Sequence, residues 1–296
     1  MPIDEGDRRR VVHALRGARL IEAPAAETVA VTRLEGGLGR RTYLADADGR
    51  SWVVRLPAEE RPGALGIVDE AQITEAAAEL GIAPRVCAAE PATGVLITEH
   101  LATAKPLAAE RLRAPENAAR LARVLRRLHT IRRPYRAFEP ESLAARYTRA
   151  AGKLRDAESR ERAAELHALA SDYRTRFPSI VLCHNDLVAS NVLDDGVELK
   201  LIDFEYAVSA APVLDLAGIA ALNEFEADER WRLAEAYYGT LPVPFTAREL
   251  HRVVRLVQLI AYFWALATIE AAGERGPYGA FAERADAALD KTHRSR

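Results

Sequence analysis

Two short segments carry side chains whose types and spacing suit the movement of a phosphoryl group. The first, Val181-Leu-Cys-His-Asn-Asp-Leu-Val-Ala-Ser-Asn-Val-Leu193, holds Asp186 and Asn191. The second, Glu198-Leu-Lys-Leu-Ile-Asp-Phe-Glu-Tyr-Ala207, holds Asp203. Phosphoryl transfer needs an acceptor hydroxyl oriented in line and Mg²⁺ to neutralise the charge that develops on the phosphate oxygens. Asp186 would accept the proton of the hydroxyl. The carbonyl oxygen of Asn191 and the carboxylate of Asp203 are hard oxygen ligands suited to Mg²⁺. His184, two residues before the expected base, reads as a residue that shapes the loop by hydrogen bonding.

The elements that must position these residues are short. Residues 180–183, 192–193 and 199–202 are apolar runs separated by polar loops and read as small buried strands. Asp194-Asp195-Gly196 supplies the turn chemistry between the last two, since Gly takes positive φ at no steric cost. The hairpin is expected to bring Asp203 back beside Asn191.

His-Asn-Asp with an Asn five residues after the Asp, followed by Ile-Asp-Phe-Glu-Tyr, resembles the catalytic loop and metal-binding segment of the aminoglycoside phosphotransferase and choline kinase superfamily. The resemblance is strongest to its choline/ethanolamine kinase branch. It implies an α+β, bilobal protein-kinase-like fold, with a small antiparallel-sheet N-lobe over residues 1–101 and a larger, mainly helical C-lobe over residues 102–296. It also implies ATP as co-substrate and Mg²⁺ as cofactor. An Asp-Asn-Asp trio can merely cap turns, but two matched motifs at this separation are more specific than either alone.

Length and composition agree with that expectation. The chain has 296 residues, of which 49% are hydrophobic, enough for one large domain or two lobes. A net charge of −2 and a pI near 6.4 give no electrostatic footprint for nucleic acid, so a small-molecule partner is expected. Cys87 and Cys183 read as buried thiols in a reducing compartment. The first residues lack an apolar signal core, and the longest apolar stretch, 259–269, reads as too short to span a bilayer. A cytoplasmic protein without a membrane partner is the expectation. Oligomeric state is not legible.

In the first lobe, residues 28–34, 41–47 and 51–56 read as a three-strand meander turned at Asp46-Ala-Asp-Gly49. The connection Glu35-Gly-Gly-Leu-Gly-Arg-Arg41 places Gly36, Gly37 and Gly39 where backbone amides can approach nucleotide phosphates. Arg40 departs from the Asn that choline kinases commonly carry there. By the resemblance, Arg55 on the third strand is the cation that holds the α- and β-phosphates, and a guanidinium can grip them through two parallel hydrogen bonds. A following helix, roughly 69–80, offers Glu70, Glu75 and Glu79 as its carboxylate partner. Glu70 is preferred because it shares a helical face with Ile73, Ala77 and Leu80. The strand from Gly94 resembles the one that leads to the hinge, where the main chain of Glu99, His100 and Leu101 would meet adenine.

In the second lobe, 115–130 reads as an amphipathic helix with a basic outer face, ending in a packed His129. Residues 139–176 read as a charged helical insert. Asp215 resembles the scaffold Asp that hydrogen-bonds the catalytic-loop backbone. Further helices are read over 222–238 and 247–272, the latter with Tyr262, Phe263 and Trp264 in one turn. These cannot share a face, because successive residues are about 100° apart. The resemblance assigns Trp264 to the acceptor pocket of choline kinases, where an aromatic face meets a trimethylammonium group. Choline kinases often have a second Trp three residues later, whereas this chain has Ala267. Glu205, Tyr206, Glu224, Glu226 and Glu270 are further groups able to attract a cation. The match runs from about Ile21 to Ala288.

The expected activity is thus transfer of the γ-phosphoryl group of ATP to a hydroxyl of an amino alcohol, choline or ethanolamine first. Thiamine kinase and aminoglycoside or other antibiotic kinase activities use the same catalytic parts and stay open. A pseudokinase that binds nucleotide without turnover is the alternative outside enzymes, and intact Asp186, Asn191 and Asp203 argue against it. A protein kinase is disfavoured because no activation segment ending in Ala-Pro-Glu follows the Asp203 segment.

Overall fold

A computed structural model describes residues 3–22, 28–34, 41–57, 64–132, 135–152, 157–178, 180–273 and 275–294. The chain divides into two compact units, one of Met1–Pro106 with Val192–Tyr206, the other of Leu107–Asn191 with Ala207–Arg296.

The first unit is built on an antiparallel sheet. Its strands are β1 (Ala30–Arg33), β2 (Arg41–Ala47), β3 (Arg50–Leu56), β4 (Val86–Glu90) and β5 (Val95–Glu99), in the order β1-β2-β3-β5-β4. The β2–β3 hairpin closes on Asp48-Gly49, both with positive φ (52° and 71°), as a tight two-residue turn requires. Alternation sorts the two faces of the sheet. Tyr43, Ala45, Ala47, Trp52, Val54, Leu56, Val95 and Ile97 form one core with Val11, Ala14 and Leu15 of the N-terminal helix α1 (Glu5–Gly17). Asp7 of that helix is buried and hydrogen-bonded by Arg41 at 2.6 Å and by the Tyr43 hydroxyl. Burial and that bond push the Tyr43 phenol up to about 12. Arg55, out of phase with Val54 and Leu56, projects from the opposite face, the side on which α2 (Ile67–Glu79) supplies Glu70.

The hairpin of β8 (Val192–Asp194) and β9 (Leu199–Leu201) groups with this unit, although the sequence reading left it with the second lobe. Its hydrogen bonds give the reason. Leu201 N donates to Ile82 O (2.7 Å), Lys200 Nζ to Gly81 O (2.8 Å), and Leu65 N to Glu205 O (2.7 Å). The short strand β6 (Lys105–Pro106) pairs with β8. At the hairpin tip Asp195 accepts from the amides of Val197 and Glu198, which hold its carboxyl below the usual range.

The second unit is mainly helical: α3 (Ala109–Arg113), α4 (Pro115–Leu128), α5 (Pro140–Ala150), α6 (Ala157–Arg176), α7 (Val213–Leu222), α8 (Ala227–Tyr238), α9 (Ala247–Ala272) and α10 (Gly276–Arg294). A two-stranded ladder of β7 (Val181–Cys183) and β10 (Val208–Ala210) carries the chain into the Asp186 loop. The helix expected from 222 starts five residues later, because Glu226 and Glu229 form a capping box that sets its first turn at Ala227. A separate helix, α7, occupies the preceding segment.

Helix α9 corrects a third expectation. Its apolar part was read as too short to span a bilayer, yet the whole helix has 26 residues and its most apolar window a mean hydropathy of 1.5, enough by length and composition alone. That window is 72% buried within the protein, as in a core helix. Two buried arginines fasten α10 to its neighbours. Arg162 of α6 meets Asp286 and Asp290, and Arg255 of α9 grips both carboxylate oxygens of Glu165 and the main-chain oxygen of Leu289. Removing one partner of such a cluster leaves buried charge uncompensated. Glu165→Ala, which strands the buried Arg255 guanidinium, is therefore expected to cost on the order of 3 kcal/mol, read as a lowered midpoint in chemical denaturation.

Candidate active site

In the first unit the site is organised by Arg55. Its guanidinium lies between two carboxylates, with Nη1 donating to Asp203 Oδ1 at 2.8 Å and Nη2 ion-paired with Glu70. Burial works against the charge, but Glu70 and Asp203 more than offset it and raise the Arg55 pKa. Glu70 is buried at 2% exposure, whereas Glu75 and Glu79 face solvent. Asp203 follows β9 with φ of 68°, in the left-handed region that glycine favours and other residues seldom adopt.

The expected hinge shows which main-chain groups remain for a nucleotide. Glu99 N donates to Arg85 O (2.9 Å), and His100 N donates to Ser51 O (3.2 Å). Leu101 O accepts from Ala104 N at 3.0 Å, so the Leu101 amide is the one donor of the three with no bond among the described residues. Glu205 is 1% exposed, so its carboxylate is shielded from solvent. Gly36, Gly37, Gly39 and Arg40 lie outside the described residues.

In the second unit the loop after β7 presents Asp186. Asn191, in a 3₁₀ turn (Ala189–Asn191), donates its Nδ2 to the main-chain oxygen of Asp186 (2.9 Å) and to its Oδ2 (3.1 Å). With the amide nitrogen committed to Asp186, the Asn191 carbonyl is turned away from it, as an oxygen ligand must be. His184 Nδ1 accepts from Asp186 N at 3.3 Å, the loop-shaping role expected of it.

Beneath the loop lies Asp215, fully buried. It accepts from His184 N (2.9 Å), Asn185 N (2.9 Å) and His129 Nε2 (3.0 Å). The other nitrogen of His129 meets the Tyr237 hydroxyl at 2.7 Å, and burial pushes that phenol well up. His129, Cys183 and Asp215 lie within 4.8 Å of one another, but the carboxylate is already filled by three donors, and burial drives the Cys183 thiol well above its ordinary value. This cluster holds the loop and is unsuited to a metal.

Sequence reasoning missed Tyr237 and also Asn223, whose amide donates to Leu187 O at 2.8 Å. The one signal for Asn223 is its place two helical turns beyond Asp215. Trp264 is half-buried and meets Tyr278 and Phe281 of α10 edge-to-face at 5.8 and 5.6 Å, while its neighbours Tyr262 and Phe263 are core. Among the described residues its indole N–H has no partner.

A choline kinase from Streptococcus pneumoniae shares 20% identity and a TM-score of 0.80, over 97% of this chain and 100% of the other. A choline/ethanolamine kinase family protein from Mesorhizobium loti shares 26% identity and a TM-score of 0.76, over 95% and 92%. A spectinomycin phosphotransferase solved with ADP and spectinomycin follows at 13% identity and a TM-score of 0.63, over 99% of each chain. No curated protein matches the sequence at a significant level. The α+β fold, with an antiparallel sheet in its N-terminal part and helices in its C-terminal part, is thus of the protein-kinase-like kind. The model of the "Phosphotransferase enzyme family" matches residues 30–252, well over half of the sequence, and the chain belongs to that family.

Proposed function

We propose that this phosphotransferase is an ATP- and Mg²⁺-dependent kinase that places a phosphoryl group on the hydroxyl of an amino alcohol, choline or ethanolamine first. The observation that carries the reading is the Asn191 amide bonded to both the main chain and the carboxylate of Asp186. That pair of bonds fixes the carboxylate relative to its own backbone, as a base must be fixed to meet a hydroxyl at hydrogen-bond range.

In the proposed reaction the acceptor oxygen bonds to the γ-phosphorus, the bond to the β–γ bridging oxygen breaks, and ADP leaves. The hydroxyl proton passes to Asp186. Asn191 and Asp203 offer only oxygen donors, the set that Mg²⁺ prefers, and we assign them as its ligands. When bound, the ion neutralises charge on the phosphate oxygens. Arg55 serves as the phosphate clamp, held ready by Glu70. For adenine, the Leu101 amide is the donor that the sheet leaves uncommitted. Trp264 is assigned to the cationic end of the acceptor. The likeness to the Mesorhizobium loti protein, at 26% identity over 95% of this chain, supports an amino-alcohol acceptor. Cys183 is buried as expected, whereas Cys87, on the edge of the first unit's core, is only half-buried; both are free thiols, which suits a reducing, cytoplasmic setting.

The test is ATP consumption with Mg²⁺ across choline, ethanolamine, thiamine and several aminoglycosides. Turnover with choline or ethanolamine above the others is the expected result, and turnover confined to thiamine or an aminoglycoside would replace the acceptor assignment. Asp186→Asn should lower kcat by about 10³-fold or more while nucleotide binding, followed by calorimetry, is spared. Asp203→Ala removes a charged partner and should weaken Mg·ATP binding roughly ten- to hundredfold. Loss of the Trp264 ring in Trp264→Leu should raise KM for choline by about 2- to 30-fold, with KM for ATP unchanged.

A further inference from the structure

We infer that Asn223 is a positioning residue for the Asp186 loop, so that α7 holds the loop on both sides of the base. The inference rests on the reading of Asp186 as that base. Near the N-terminal end of α7, Asp215 takes the amides of residues 184 and 185, immediately before Asp186. Just past the C-terminal end of the same helix, Asn223 Nδ2 donates to the main-chain oxygen of Leu187, immediately after it, at 2.8 Å. The residues immediately before and after Asp186 are thereby tied to one rigid element.

Asn223 is itself well fixed. It is 4% exposed, its Nδ2 also donates to Ile219 O at 2.8 Å, and Arg113 Nη1 donates to its main-chain oxygen at 3.2 Å. An amide is the side chain this place needs. Its two N–H donors serve one helix carbonyl and one loop carbonyl together, whereas the isosteric Asp would set a carboxylate against both oxygens. A loop oxygen left buried without its donor would draw the chain toward another partner and turn the Asp186 carboxylate off line.

The two amide bonds separate in two variants. Asn223→Leu removes both donors at similar volume. Asn223→Ser keeps a donor that returns to the carbonyl four residues back, as Ser does in helices, and is too short to reach Leu187. Both variants, in the full chain and checked for fold by circular dichroism, are expected to lower kcat roughly 10- to 100-fold with the Kd for Mg·ATP within about twofold of wild type. Should Asn223→Leu fail to fold, Asn223→Ser carries the test alone. A wild-type kcat in Asn223→Ser overturns the inference, because the bond within the helix would then be the one that matters. A lower melting temperature with undiminished kcat overturns it too, as a merely structural role. Asp186→Asn is run alongside. If it stays active, the assignment of the base fails. If it is dead while the Asn223 variants turn over normally, the inference about Asn223 fails by itself.

Discussion

The second unit depends on the buried carboxylate of Asp215. A carboxyl group taken wholly out of water is tolerated only when its oxygens are filled by hydrogen bonds. Here the donors are two consecutive loop amides and an imidazole. The constraint is mutual, since the loop amides also need an acceptor once they are shielded from water. The direction of the chain at Asp186 is therefore fixed by a buried side chain outside the pair formed by Asp186 and Asn191. Packing follows from it: α4 ends in His129, whose second nitrogen meets the Tyr237 hydroxyl at the end of α8.

In the first unit the equivalent anchor is a cation. The guanidinium of Arg55 joins strand, helix and hairpin by meeting Glu70 of α2 and Asp203 after β9. A lysine would present a single compact ammonium to these carboxylates, whereas the planar fork of arginine offers a separate nitrogen to each. An arginine at this position is thus accounted for by the two partners it serves.

Legibility followed the range of each interaction. The short strands, the Asp194–Gly196 turn, the role of His184 and the inward face of α2 were readable because period and turn chemistry are local. Asn223 and Tyr237 were not, since an amide ending a helix and a tyrosine in an aromatic run look alike whether or not they touch the loop. The commitment of the Glu99 and His100 amides was hidden for the same reason. It depends on Arg85 and Ser51, distant in sequence and paired only by the order of the sheet. The hairpin of 192–206 was read in its own shape, but its partners Ile82 and Gly81 lie in a turn that carries no motif.

Two of the five described non-glycine residues with positive φ lie at the candidate site. Asn185, just before the candidate base, has φ of 63°, and Asp203 has φ of 68°, conformations that non-glycine residues adopt at a cost of order 1 kcal/mol. Each is held by an interaction made in that conformation: the Asn185 amide on Asp215, and the Asp203 carboxylate on Arg55. Glycine at either position would relax the backbone, but it would free the chain direction at Asn185 and remove the carboxylate at Asp203. Asparagine and aspartate, the residues that tolerate the left-handed region best after glycine, are what these two positions require.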